Sequence, residues 1–155
     1  MKNKKQVGKA LGRVASGLYV VTTKFEDKED AVLASWVNQC SFDPPAVTIA
    51  LGTLRSARLL VETSNSFIVN ILPKDDMSLL KHFSRPPENI FKGIKTRKGL
   101  DGIRVLSEAV SYLECEVVHS VNAGDHILYV GEIIGGKTLK GGDPYIHVRD
   151  NGFNY

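Results

Sequence analysis

Ala34-Ser35-Trp36-Val37-Asn38-Gln39-Cys40-Ser41-Phe42-Asp43-Pro44-Pro45-Ala46-Val47-Thr48-Ile49-Ala50-Leu51 is the stretch on which the reading of this chain turns. It leaves an apolar, β-rich segment and passes through small and amide side chains. It then turns at a double proline and resumes as a second apolar segment. Pro44 and Pro45 lack N–H donors and fix φ, so the turn is stiff. The residue before each proline is pushed towards extended backbone. Small side chains at a strand end let a flat ligand approach the main chain. A rigid polar corner of this kind suits a bound planar molecule, and an ordinary surface loop has the same composition. The residues alone leave both readings open.

Working outward, residues 18–25, 31–37, 46–52 and 66–72 are rich in β-branched and aromatic side chains and are predicted as strands. So are residues 112–121 and 127–134, joined at Asn122-Ala123-Gly124-Asp125, and a last short segment at 145–148. Residues 26–30 form a charged hairpin tip. Helical spacing predicts a short helix within 6–16, ended by Gly17, a second over 55–63 with Leu59 and Leu60, and a third over 75–83. The third has Met77, Leu80 and Phe83 facing inward, and Asp75 and Asp76 suit its N-terminus. Residues 84–101, with Pro86, Pro87, Gly93 and Gly99, are too long and polar for a plain connection and are expected to be a functional loop. Six or seven strands with a few short helices point to a mainly β barrel and not to a βαβ repeat.

The 155 residues make one domain, 43% hydrophobic and 24% charged, as in ordinary soluble globular proteins. A net charge of +3, part of it from Lys2, Lys4 and Lys5, gives no call for nucleic acid. The cluster Lys92, Lys95, Arg97 and Lys98 reads as a solvated loop or as a surface that meets an anion. Cys40 and Cys115 form neither a C-x-x-C pair nor a metal-ligand set. Cys115 alternates with Leu113 and Val117 and is expected in the core; Cys40 lies in the polar corner. Two unpaired thiols suit a reducing compartment. With no signal-like apolar stretch and no membrane-length run, a cytoplasmic protein is expected.

Several sharp motifs are missing. There is no G-x-x-x-x-G-K-[ST], no G-x-G-x-x-G after a strand, no H-E-x-x-H and no G-x-S-x-G. His82, His119, His126 and His147 are widely spaced, so no metal site is expected. An enzyme without its own nucleophile or metal borrows a cofactor. The corner 34–41 offers backbone N–H groups, the Asn38 and Gln39 amides and the Ser35 and Ser41 hydroxyls. Thr53-Leu54-Arg55-Ser56-Ala57-Arg58 follows a strand and opens a helix. That setting favours an anion at Ser56, with Arg55 adding a bidentate contact, and equally describes a capped surface helix. His126 reads as a turn residue after Gly124-Asp125, and His82 as a helix-end histidine.

Leu18-Tyr19-Val20-Val21-Thr22-Thr23, the opening stretch, Phe67-Ile68-Val69-Asn70-Ile71-Leu72, Tyr112-Leu113-Glu114-Cys115-Glu116-Val117, Gly124-Asp125-His126 and Val130-Gly131-Glu132-Ile133 occur in one order. In that order the chain resembles the flavin reductase-like family, the FMN-binding split barrels, from about Leu11 to Tyr155. It is most similar to the reductase module at the C-terminal end of diflavin flavoproteins. It shares that module's Leu-Gly-Arg-Val opening (Leu11 to Val14), its Ala-Ser-Trp-Val corner and an ending matched at His147, Arg149, Gly152 and Tyr155.

The resemblance implies a six-stranded Greek-key split barrel that forms an obligate homodimer with flavin near the interface. It implies FMN, with FAD tolerated, and NADH or NADPH as donor. Ser35, Trp36 and Val37 would lie along the isoalloxazine, and Ser41 and Phe42 near the ribityl chain. Arg55 and Ser56 would hold the phosphate, although Arg58 stands where family members often carry a second hydroxyl. Ala34, Asn38, Gln39 and Gly52 complete the implied cofactor-binding set. His126, oriented by Asp125, would work near the nicotinamide. Hydride passes from nicotinamide C4 to flavin N5 without a protein base, which fits the missing nucleophile and metal. Electrons would then go to free flavin, a partner protein or a small oxidant. Two rivals stay open: an FMN electron carrier reduced by a partner protein, and a flavin-binding module without turnover.

Overall fold

The computed structural model describes residues 1–154, so Tyr155 of the matched ending lies outside the described residues. Helix α1 (Lys4–Gly12) and the two-residue β1 (Ser16–Gly17) lead into β2 (Tyr19–Phe25), β3 (Lys28–Ala34), β4 (Val37–Phe42) and β5 (Pro45–Gly52). Helix α2 (Ser56–Ser64), β6 (Ser66–Ile71) and α3 (Ser78–Ser84) follow. A small ribbon of β7 (Thr96–Lys98) and β8 (Arg104–Leu106) brackets a 3-10 turn at Leu100–Gly102. The long strands β9 (Ser111–Ala123) and β10 (His126–Thr138) come next, and β11 (Ile146–His147) pairs with β1.

The principal sheet is antiparallel, in the order β3-β2-β6-β9-β10-β5-β4; its seven strands lie within the six or seven read from the residues and are one more than the resemblance implies. Its two edge strands are consecutive in the chain, and only Ser35 and Trp36 separate β3 from β4. The three peptide steps from Ala34 to Val37 reach about 11 Å at most. A flat seven-stranded sheet would hold its edges about 29 Å apart. The sheet therefore has to curl into a barrel, and the Ser35-Trp36 link spans the seam. Strands β2 to β5 run round the barrel in order, and β6 returns through α2 to lie beside β2, a Greek-key path.

The single strand expected over 31–37 is thus two strands with the seam between them. The charged tip is also shorter than expected: Glu26 turns with φ 53°, and Lys28 to Asp30 already pair with β2. An edge strand accommodates those charges because one of its sides meets solvent.

Alternation explains the core. Val21, Phe67 and Val69 point into the barrel with Ile49, Leu51 and Tyr129. Val20 points the other way, towards Leu79, Phe83, Phe91 and Leu106. Strands β2 and β6 are therefore buried on both faces, which is why they read as unbroken apolar runs. The one amide among them, Asn70, is fully satisfied. It donates to Val20 O at 3.0 Å and Thr22 Oγ1 at 3.2 Å, and it accepts from Leu106 N at 2.8 Å. Gly131 is required by close approach, since a Cβ there would come within 2.4 Å of Phe67 Cζ. In α2 the buried side chains are Ala57 and Val61, while Leu59 is exposed. In α3 they are Leu79 and Phe83, and Asp76 accepts from Ser78 N just before the helix.

Candidate functional site

At the barrel end where β3 and β5 finish and β10 begins, a cavity of about 560 Å³ opens. Ala34, Ser35, Gly52, Arg55, Ser56 and His126 line it, so these six of the residues singled out from the sequence come together. Apolar side chains line it too: Leu80 and Phe83 from α3, then Pro86 and Ile90; Tyr145 and His147 join them from the C-terminal segment.

Each polar group has a structural reason for its place. Ser35 sits on the seam, 3% exposed, and its Oγ has no hydrogen-bond partner. A buried hydroxyl left without a partner is costly, and one on a cavity wall is suited to a ligand. Gly52 pairs with His126 across β5 and β10. A Cβ at Gly52 would lie 3.6 Å from Arg55 Cγ and 3.8 Å from His126 Nε2, so glycine keeps open the space between those two side chains.

His126 Nδ1 is 2.7 Å from Asp125 Oδ1. With Nδ1–H donating to that carboxylate, Nε2 is left towards Gly52 and the cavity. The hydrogen bond from His126, and then its charge, hold the Asp125 carboxyl below its usual range. The His126 ring packs on Trp36 at 4.6 Å between centroids, and the Arg149 guanidinium lies 5.6 Å from the Trp36 ring. Trp36 therefore supports the histidine from behind and is not itself a wall of the cavity.

Arg55 has extended backbone at the start of α2. The first-turn N–H groups of a helix have no intrahelical acceptors and favour an anion. Ser56 Oγ donates to Asp30 Oδ2 at 2.5 Å, and Asp30 Oδ1 accepts from Ala31 N at 2.7 Å. Arg58 is committed elsewhere, to Thr53 O at 3.1 Å and to Glu62.

The other residues of the opening stretch go elsewhere. Val37 is 7% exposed in the barrel core. Asn38, Gln39, Ser41 and Phe42 lie on the edge strand β4 and do not line the cavity; Phe42 is 90% exposed. The basic cluster does not line it either, and there Arg97 lies over the Tyr112 ring at 5.2 Å. The 84–101 segment supplies Pro86 and Ile90 to the cavity, and His82 Nε2 pins it to α3 through Ile90 O at 2.7 Å.

Asp30 and the apolar wall were not reached from the sequence. Asp30 was masked by the run of charges around it, and Leu80 and Ile90 look like any core residues until the chain is folded. Among the described residues no helix is long and apolar enough to cross a membrane.

A family model described as the flavin reductase like domain matches residues 11–154. Diflavin flavoprotein A 1 of Synechocystis sp. is 36% identical over 152 residues, covering 95% of this chain and 26% of its own length. This chain thus spans about a quarter of the length of that relative. Among solved structures, the flavin reductase PheA2 aligns with TM-score 0.81 and 27% identity, covering 96% of this chain and 94% of its own. The NADH:FAD oxidoreductase SgcE6 of Streptomyces globisporus, solved with NAD and FAD fragments, aligns with TM-score 0.85 and 22% identity over 95% of this chain and 89% of its own.

Proposed function

The chain belongs to the flavin reductase-like family, and on that premise we propose that it is a flavin reductase module that binds FMN, tolerates FAD, and takes electrons from NADH or NADPH. The observation that carries the reading is the cavity of about 560 Å³ on which the orphaned Ser35 hydroxyl, the open Gly52 position, the Arg55-Ser56 helix start and His126 converge. Polar groups converging on an otherwise apolar pocket are what a flat, partly charged ligand needs.

Bound flavin supplies the hydride-accepting chemistry, which no side chain of this cavity provides. The chain's own part is binding and orientation. Ser35 Oγ and the nearby main chain donate to the polar edge of the ring. Arg55 and the first N–H groups of α2 hold the phosphate. His126, its ring fixed by Asp125 and Trp36, presents Nε2 to the nicotinamide side. Leu80, Phe83, Pro86 and Ile90 exclude water from the apolar part of the lining.

We further propose a homodimer. Among the described residues no strand is hydrogen-bonded to the outer edge of β4, and Phe42 and Leu54 are 90% and 98% exposed. Exposed apolar groups beside an open edge favour a second copy. In that assembly Asn38, Gln39, Ser41 and Phe42 would complete the cavity of the partner. Two free thiols, Cys40 and Cys115, fit a reducing compartment, which we take to be the cytoplasm.

The test is anaerobic mixing of the FMN-loaded protein with NADH and with NADPH, read at the flavin absorption band. Bleaching within seconds is expected. Binding of FMN without bleaching would instead make the chain an electron carrier reduced by a partner protein, and no FMN binding would overturn the reading.

A further inference from the structure

We propose that Asp30 weakens the hold of this cavity on a phosphate monoester, so that the site discriminates less in favour of FMN over the phosphate-free flavin than Arg55 and the helix start alone would. This rests on the flavin reading above and goes beyond it.

The argument starts from one hydrogen bond. The Ser56 hydroxyl has a single proton, and that proton is donated to Asp30 Oδ2 at 2.5 Å. Towards a phosphate it can then present only lone pairs. Asp30 is itself held in place by Ala31 N at 2.7 Å, and both Asp30 and Ser56 line the cavity. A carboxylate is thus fixed at the start of α2, where an anion would sit.

Charge bookkeeping gives the sign. The helix terminus contributes about half a positive charge, and Arg55 contributes one. Asp30 cancels most of their sum. An FMN phosphate brings about −1.5 to −2 at neutral pH, so it meets a site of about half a positive charge in place of about one and a half. The ring end of the cavity has no such opposition. There the Ser35 hydroxyl, 3% exposed and unpartnered, independently marks a place for a ligand polar atom. The cavity therefore grips a ring system better than it grips a doubly charged tail.

Isothermal titration of the full chain with FMN, FAD and riboflavin separates the two ends, because riboflavin has the ring and no phosphate. In Asp30→Asn, an isosteric change, FMN affinity should rise about tenfold, equivalent to about 1.4 kcal/mol. Riboflavin affinity should stay within about twofold. FAD, with one charge on each phosphate, should gain less than FMN. FMN release measured by stopped flow should slow by a similar factor. Asp30→Ala should behave in the same direction, which guards against an artefact of the asparagine amide. Since exposed charges are screened by salt, the gap between parent and variant should narrow at high ionic strength. An unchanged ratio of FMN to riboflavin affinity in both variants would overturn the role of Asp30 while leaving the flavin site standing. Failure of all three flavins to bind the parent would overturn the site and this inference together.

Discussion

Ser35 and Gln39 lie four residues apart in one polar stretch, yet they meet different surroundings. Ser35, on the seam between β3 and β4, is buried with no partner for its hydroxyl and faces the cavity. Gln39, on β4, is exposed and reaches back to Ser41 O at 3.3 Å. The seam exists because the barrel has to bring its two edge strands together across two residues. The polar character of β4 exists because an edge strand meets water. Similar side chains thus stand buried without a partner in one place and open to water in the other. What separates them is burial without a partner, and polarity alone does not reveal it.

The largest expected effect falls on the charged end of the cavity. Removing Arg55 and Ser56 together (Arg55→Ala with Ser56→Ala) deletes the charge-assisted contact of the Arg55 guanidinium, worth roughly 1.5–3 kcal/mol, and frees the Asp30 carboxylate from the Ser56 hydroxyl. FMN affinity should fall on the order of a hundredfold, with riboflavin affinity nearly unchanged. An equal loss for both flavins would move the phosphate away from α2. His126 comes next. His126→Ala should slow anaerobic flavin reduction by roughly tenfold to a hundredfold through lost positioning, with FMN still bound. Reduction at the parental rate would make His126 a turn residue alone.

The barrel was legible because its strands carry their own signals. Residues 18–25 and 66–72 read as strands, and β2 and β6 occupy nearly those positions. The β9–β10 turn at Gly124, φ 81°, was equally plain. The seam was not, because Ala34 to Val37 has strand-like residues throughout and only sheet closure dictates a break there. The site was half legible. Arg55-Ser56 and Gly124-Asp125-His126 are local arrangements, visible as a helix start and a turn. Asp30 meets Ser56 across 26 positions and Ile90 meets His82 across eight, and no local pattern records such a meeting. The amides of Asn38 and Gln39 drew attention by composition, which does not encode which face of β4 they occupy.

A smaller effect should attend Ser35→Ala, and its two readouts should separate. The buried hydroxyl makes no hydrogen bond in the protein alone, so its removal should leave thermal stability unchanged or slightly raised. Flavin affinity should fall several-fold, as expected from losing one hydrogen bond of about 0.5–1.5 kcal/mol. A clear loss of stability with unchanged affinity would mean that Ser35 holds the seam and not the ligand.

The smallest effect tests the other half of the comparison. Asn38→Ala with Gln39→Ala removes two exposed amides from an edge strand, and surface changes of this kind stay within about 0.5 kcal/mol. The melting temperature should therefore not move measurably. Flavin affinity is the sharper readout. If a second copy brings β4 over its partner's cavity, FMN affinity should drop about threefold at protein concentrations where light scattering shows a dimer. It should not change where the protein is monomeric. The concentration dependence matters, because it assigns the amides to the partner's cavity and not to their own. Identical FMN affinity for parent and variant in the dimer would confine ring recognition to Ala34, Ser35 and the rest of the cavity lining and leave β4 with only its role as a water-facing edge.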